Sequence, residues 1–191
     1  MTLLFMAAAF LIGSFPTGAL VARAKGIDLR KVGSGNIGAT NVGRALGKGW
    51  AALVLVVDAG KGALPVLLAH RLSAQAWLPA LAGIAAVLGQ VFSVFLRGRG
   101  GKGVATSLGA GLALAPLPAV SCLGVFVVVF AGCRIVSLGS LAGLASFSVF
   151  LWLYGLASLP RFAFGIATLA LVTVRHKDNL RRLMARREPR L

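Results

Sequence analysis

Charged side chains are scarce in this chain: Asp, Glu, Lys and Arg make up 13% of 191 residues while 58% are hydrophobic, against roughly 25% charged in a soluble domain. That shortage excludes an ordinary soluble globule and points to membrane. Cysteine is nearly missing as well. Cys122 and Cys133 both sit in apolar sequence at a spacing that fits no ligand pattern, which excludes a disulfide framework and a metal site. No Lys or Arg precedes Leu3, and the apolar run continues through Gly13, Pro16 and Gly18 to about Ala22. A cleavable signal wants a basic start and a short apolar core, so this run reads as a first transmembrane helix. Acidic residues number 4 against 20 Lys and Arg, a net charge of +16. Such an excess can signal nucleic acid, but no soluble domain or row of aromatics is present to form a groove. Nucleic acid is excluded as a partner, and the basic residues, which lie at the ends of apolar spans, are read as a topology signal.

Several apolar stretches approach or exceed the roughly 20 residues that cross a bilayer core of about 30 Å. They run near 3–22, 50–70, 74–96, 136–157 and 160–174. The interval 103–133 is too long for one comfortable span and short for two, with Pro116 and Pro118 at its midpoint, where a turn belongs. Charge asymmetry decides it. If the interval holds two short helices, Arg23, Lys25, Arg30, Lys31, Arg44, Lys48, Arg97, Arg99, Lys102, Arg134 and the basic tail all share one face, leaving Arg71 and Arg161 opposite. A single kinked helix would move the tail across and erase the asymmetry. The expected fold is therefore an all-α polytopic membrane protein with seven transmembrane helices, N-terminus outside and C-terminus cytoplasmic, forming one integral membrane domain over residues 1–191.

On that topology every motif-like stretch falls on the inner face. The first loop contains Gly33-Ser34-Gly35-Asn36-Ile37-Gly38, which matches the dinucleotide fingerprint G-x-G-x-x-G letter for letter, with Asp58 about twenty residues on. The fingerprint needs a strand before and a βα unit around it; here membrane spans stand on both sides, so the nucleotide reading fails. What survives is the loop chemistry. Gly33, Gly35 and Gly38 let the backbone approach an anion, while Ser34, Asn36, Thr40, Asn41 and Arg44 supply hydrogen bonds and charge. The third loop resembles a second phosphate cradle, with Gly98, Gly100, Gly101 and Gly103 around Lys102 and with Thr106 and Ser107 in the next helix's first turn. It is not a Walker A motif, because Gly103 stands where Ser or Thr should follow the Lys. The tail begins RHKDNLRR, where His176 and Asn179 share a helical face if the last helix continues. Asp58 and Lys61 are three apart inside the second span and can pair; an isolated ion there costs about 2.5 to 3.5 kcal/mol on insertion scales. A part in shaping the substrate pocket is the alternative for that pair.

The runs VGSGNIGATNVGRALGK, FLRGRGGKGVATSLG, VSLGSLAG and RHKDNLRRL resemble the three-motif pattern of the bacterial acyl-phosphate-dependent glycerol-3-phosphate acyltransferases, in order and over nearly the whole chain. The resemblance implies an enzyme of the bacterial cytoplasmic (inner) membrane with its active site on the cytoplasmic face, in contact with membrane lipid. It would transfer an acyl group from acyl phosphate to the 1-hydroxyl of glycerol 3-phosphate, giving lysophosphatidate and inorganic phosphate, the first step of phospholipid synthesis. The resemblance also implies no need for a cofactor, metal, acyl-CoA or acyl carrier protein. By motif position, the catalytic residues would be Ser34, Lys102, His176 and Asn179, and the substrate-binding ones Gly33, Gly35, Asn36, Thr40, Asn41, Arg44, Gly100, Gly101, Gly103, Thr106 and Ser137. The chain departs from the pattern at Gln90, where His is common, at Ser93, where Pro is common, at Gly139 within the third motif, and at Arg99. It lacks the H-x-x-x-x-D box of the other acyltransferase class, since Gln75 and Arg181 occupy that spacing after His70 and His176.

An acyl phosphate is already activated, so the protein has mainly to orient two anions and stabilise the developing oxyanion. The base is His176 or the substrate's own phosphate. Ser34 has no activating base beside it in sequence, which favours direct transfer with Ser34 as a binder. A small membrane transporter for phosphate or a lipid precursor is the alternative of a different class. It would place its polar features near the midplane, often in two matching halves, and neither is clear here.

Overall fold

The computed structural model of the chain describes residues 2–190, and every regular element among them is helical. The α-helices are α1 (Thr2–Ser14), α2 (Thr17–Ala24), α3 (Ala39–Leu46), α4 (Lys48–Leu72), α5 (Trp77–Val91), α6 (Val104–Leu114), α7 (Pro116–Cys133), α8 (Val136–Leu153), α9 (Leu159–Arg175) and α10 (Lys177–Met184), with single 3-10 turns at Leu29–Lys31 and Val94–Leu96. Among the described residues, five stretches are long and apolar enough to cross a membrane: Thr2–Ala24, Lys48–Leu72, Trp77–Leu96, Pro116–Cys133 and Val136–Leu153. Helix α6 is apolar but has 11 residues, which at 1.5 Å per residue is about 17 Å, and α9 has 17 residues with Arg175 in its last turn.

The interval 103–133 divides in two where its prolines indicated. Ala115 leaves the helical region (φ −154°, ψ 86°), and Pro116 opens α7 in the first turn, where its missing N–H is no loss. The first span differs from the continuous run expected at 3–22. Pro16 offers no N–H and its ring disfavours helical backbone at Phe15, so α1 stops at Ser14 and α2 starts at Thr17. The carbonyls released at that break are taken up by neighbours: Ser93 Oγ donates to Ser14, and Lys61 Nζ donates to Phe15 at 2.6 Å.

Apolar runs gave no sign of α3 and α10, the two short helices beside the polar motifs. Both carry charge on one side and turn Asn41 and Val42, or Asn179, inward. In the bundle itself the large apolar side chains look outward, as Val128, Trp152 and Val174 do. Small residues make the interior contacts. A Cβ on Gly13 or Gly89 would overlap a carbonyl across the α1–α5 interface, and one on Gly62 or Gly109 would do so between α4 and α6. Lipid tails are as apolar as Leu, so close backbone approach supplies packing that hydrophobic exclusion does not. Larger buried side chains collect around Phe147, Leu151 and Phe164. A second cluster of Ala22, Leu29, Ile37, Val42 and Val54 lies beneath the first polar loop.

Candidate active site

The first loop is shaped by one side chain. Asn41, 1% exposed in the first turn of α3, accepts the Ser34 N–H (3.0 Å) and donates to the carbonyls of Leu29 (3.2 Å), Val32 (2.9 Å) and Asn36 (2.9 Å). Asp28 caps the preceding 3-10 turn by accepting the Arg30 N–H. Gly33 has φ +54°, and a Cβ there would collide with Asn41 Oδ1, so only glycine lets the loop close over that amide. Ser34 and Arg44 are thereby held in one small frame, with the Arg44 side chain passing beside Gly33.

The third loop is held by its surroundings. The N–H groups of Gly100 and Gly101 donate to the carbonyls of Val91 (3.1 Å) and Gln90 (2.9 Å) at the end of α5. From the other side, the Arg175 guanidinium donates to the carbonyls of Gly100 (3.1 Å) and Gly101 (3.3 Å). Gly103, at φ +85°, caps α6 and turns Lys102 toward the tail, where its Nζ donates to Asn179 Oδ1 at 2.6 Å. Burial, together with the nearby charges of Arg182 and Arg44, lowers the Lys102 ammonium to about 8, with Glu188 and Asp178 acting against the shift.

The tail supplies the third group. His176 is 2% exposed at the junction of α9 and α10, and its Nδ1 lies 2.8 Å from the Val172 carbonyl. A carbonyl only accepts, so Nδ1 carries the hydrogen and Nε2 keeps a free lone pair. Burial, and then the charge of Lys102, pushes the imidazole down to about 4, so it is neutral near pH 7. Farther along, the chain folds back and inserts Glu188. Its carboxylate accepts from Ser137 Oγ (2.8 Å), from Asn179 Nδ2 and from Arg182 Nε (2.7 Å). Burial would raise its pKa, but the hydrogen bonds from Asn179, Ser137 and Arg182 outweigh it and hold the group low.

These pieces line a single cavity of about 1340 Å³. One end is polar, with Ser34, Thr40, Arg44, Lys102, His176 and Asn179; the other is apolar, with Leu123, Phe126, Phe130, Leu144, Phe147 and Phe164. The first turns of α3, α6 and α8 open onto it through Thr40, Ala105 and Ser137. Helix N-termini carry partial positive charge and unpaired N–H groups, so the polar end favours anions beyond what Arg44 and Lys102 supply. Thr106 and Ser107 add buried hydroxyls that have no protein partner among the described residues.

Of the remaining residues expected from sequence, Gly33, Asn36, Asn41 and Gly103 also line the cavity. Gly35, Gly100 and Gly101 do not: Gly35 packs on the Arg30 carbonyl, and the other two pack on Gln90 and Val91, so their contribution is to loop shape. Asp58 and Lys61 pair at 2.7 Å. Sequence reasoning missed Arg175, Arg182 and Glu188. Glu188 had one visible signal, as the lone acid in a tail of Arg residues beyond Asp178.

A model of the glycerol-3-phosphate acyltransferase family matches residues 3–186. A glycerol-3-phosphate acyltransferase of Synechococcus elongatus is 48% identical over 96% of this chain and 91% of its own length. One from Geobacter sulfurreducens is 42% identical over 95% and 93%. Among solved structures, the crystal structure of PlsY (YgiH), an integral membrane glycerol 3-phosphate acyltransferase, in its glycerol 3-phosphate form superposes with a TM-score of 0.95 at 40% identity, covering all of this chain and 95% of that one. Its lysophosphatidic acid form gives 0.93 at 39% identity.

Proposed function

Because the chain belongs to the glycerol-3-phosphate acyltransferase family, we propose a specific version of that chemistry, with acyl phosphate as donor and the 1-hydroxyl as acceptor. The protein is an integral membrane enzyme that acylates glycerol 3-phosphate. In the proposed reaction the hydroxyl oxygen attacks the acyl carbonyl carbon, the bond from that carbon to the phosphate oxygen breaks, and lysophosphatidate and inorganic phosphate leave. Phospholipid synthesis begins with this step, at the cytoplasmic face of the bacterial inner membrane.

The observation that carries the reading is the two-ended cavity. Both substrates bear phosphate and one bears a long apolar chain, which suits an end lined by Lys102, Arg44 and helix N-termini joined to a wall of Phe126, Phe130 and Phe147. Lys102 and Arg44 hold the phosphates and stabilise the charge that develops on transfer. Ser34 binds rather than attacks, since no base lies beside it among its hydrogen-bond partners. His176, neutral with Nε2 open, accepts the hydrogen bond of the reacting hydroxyl. The phosphate of glycerol 3-phosphate, with a second pKa of about 6, competes for the proton, and the rate left in a His176→Ala variant apportions the two. Asn179 orients Lys102, and Asn41 acts through the loop it braces.

The charge asymmetry supports seven crossings in one domain over residues 1–191, N-terminus outside, with α6 and α9 added to the five long spans. Nothing in the family match or the cavity favours the transporter alternative. The test is to supply purified protein with acyl phosphate and glycerol 3-phosphate alone. Lysophosphatidate and one phosphate per turnover are expected; product only with acyl-CoA or acyl carrier protein would overturn the donor.

A further inference from the structure

The acyl transfer outlined above leaves one charged cluster unused, the Asp58–Lys61 pair of α4. The Lys61 ammonium is ion-paired with Asp58 Oδ1 at 2.7 Å and donates to Gln90 Oε1 at 2.7 Å and to the Phe15 carbonyl at 2.6 Å. Gln90 returns a hydrogen bond from Nε2 to Asp58 Oδ2 at 3.2 Å, which fixes the orientation of its amide. All three side chains are at least nine-tenths buried. The ring holds both ends of the Gln90 amide in one position.

That position is directly under the phosphate loop. The Gln90 carbonyl accepts the Gly101 N–H at 2.9 Å, and its neighbour Val91 accepts that of Gly100 at 3.1 Å. The Gln90 amide sits so close that a Cβ on Gly101 would lie 3.0 Å from Nε2. The next residue is Lys102, whose Nζ reaches Asn179. A continuous line of contacts therefore runs from the break between α1 and α2, through Lys61 and Gln90, to the loop that carries the ammonium at the polar end of the cavity.

We propose that Gln90, clamped by Asp58 and Lys61, is a positioning residue for the glycerol 3-phosphate site: it sets the height of the Gly100–Gly103 loop and with it the place of the Lys102 ammonium. This deepens the proposed function and rests on it. Gln90 and Asp58 also border the cavity, but both ends of the Gln90 amide are engaged by the ion pair, so it acts through the loop.

Kinetics of the purified full-length enzyme test this, with glycerol 3-phosphate and acyl phosphate varied separately. Gln90→Leu is expected to raise KM for glycerol 3-phosphate about tenfold while kcat stays within about threefold, the pattern of lost ground-state binding. KM for acyl phosphate is expected to stay put. Gln90→His should restore the wild-type KM, because neutral imidazole offers one acceptor and one donor, as the amide does. An unchanged KM in Gln90→Leu, a loss confined to kcat, or a His variant no better than Leu would overturn the proposal. If Gln90→Leu does not fold, Asp58→Leu combined with Lys61→Met removes the clamp while filling its space, a replacement that buried pairs often tolerate, and the same rise in KM is expected. Failure of both to fold would mark the cluster as structural and overturn the positioning role. A wild-type enzyme that gives no product would instead count against the donor, and calorimetric binding of glycerol 3-phosphate would still read the positioning effect.

Discussion

The two glycine-rich loops reach the same cavity by opposite means. The first is braced from inside its own sequence: the amide of Asn41 reaches four backbone groups of residues 29 to 36, its two Nδ2 hydrogens shared among three carbonyls. The third has no such brace. It hangs from the carbonyls of Gln90 and Val91 on one side and is gripped by Arg175, 74 and 75 positions away, on the other. Arg30 ties the two together, with its guanidinium donating to the carbonyls of Gly35 and Arg99. An anion loop can thus be stiffened by one amide or by the helices around it. The first arrangement is vulnerable at one residue, while the second spreads its support over several.

The largest effect is expected where support is concentrated. Asn41→Leu keeps the volume and removes all four bonds, freeing Ser34 and Arg44, and kcat/KM should fall about 10²-fold or more, since small misplacements at a reacting centre cost that much. Helical circular dichroism should be retained, and a fall of less than tenfold would break the contrast between the loops. Next comes the group the tail supplies. His176→Ala should lower kcat by about 10², within the usual range for a positioned acid–base group; a near-normal rate would leave proton transfer to the substrate phosphate.

A smaller loss is expected where support is shared. Arg175→Gln should raise KM for glycerol 3-phosphate about tenfold, the equivalent of one charged hydrogen-bonding group, because the α5 carbonyls still hold the loop. A loss as large as that of Asn41→Leu would show the third loop to be equally dependent on one residue. The mildest test is pH. Lys102 is charged below its pKa of about 8 and neutral above it, so kcat/KM should fall as pH rises through about 8. Lys102→Arg, whose guanidinium does not titrate in this range, should lose that inflection while activity from the first loop's Arg44 is untouched.

The difference between the loops also explains what could be read without a structure. The prolines at 116 and 118 marked the division of α6 from α7, because a residue that lacks an N–H and clashes with the preceding turn acts within a few positions. Glycines and small polar side chains marked both loops for the same local reason. The apolar run through Pro16 predicts one continuous helix, which breaks there, since whether a helix survives proline depends on what accepts its freed carbonyls; here Lys61 of α4 and Ser93, just after α5, do. Asn41 was visible as a polar loop residue, but its inward turn was not. Glu188 was an isolated acid until the tail folded it against Ser137, Asn179 and Arg182.

By itself the sequence determined a helical membrane protein, the position of its long spans, the presence of two anion loops, and the pairing of Asp58 with Lys61. All of these are written in windows of a few to about twenty residues, where composition and helical period act directly. Only the tertiary structure decided that Arg175 grips the third loop, that Gln90 links a buried ion pair to it, that Glu188 closes the polar end, and that one cavity joins the anion site to a wall of phenylalanines. Those contacts join residues 6 to 75 positions apart. Their partners are chosen by how small-residue helix faces dock, and no local pattern carries that information.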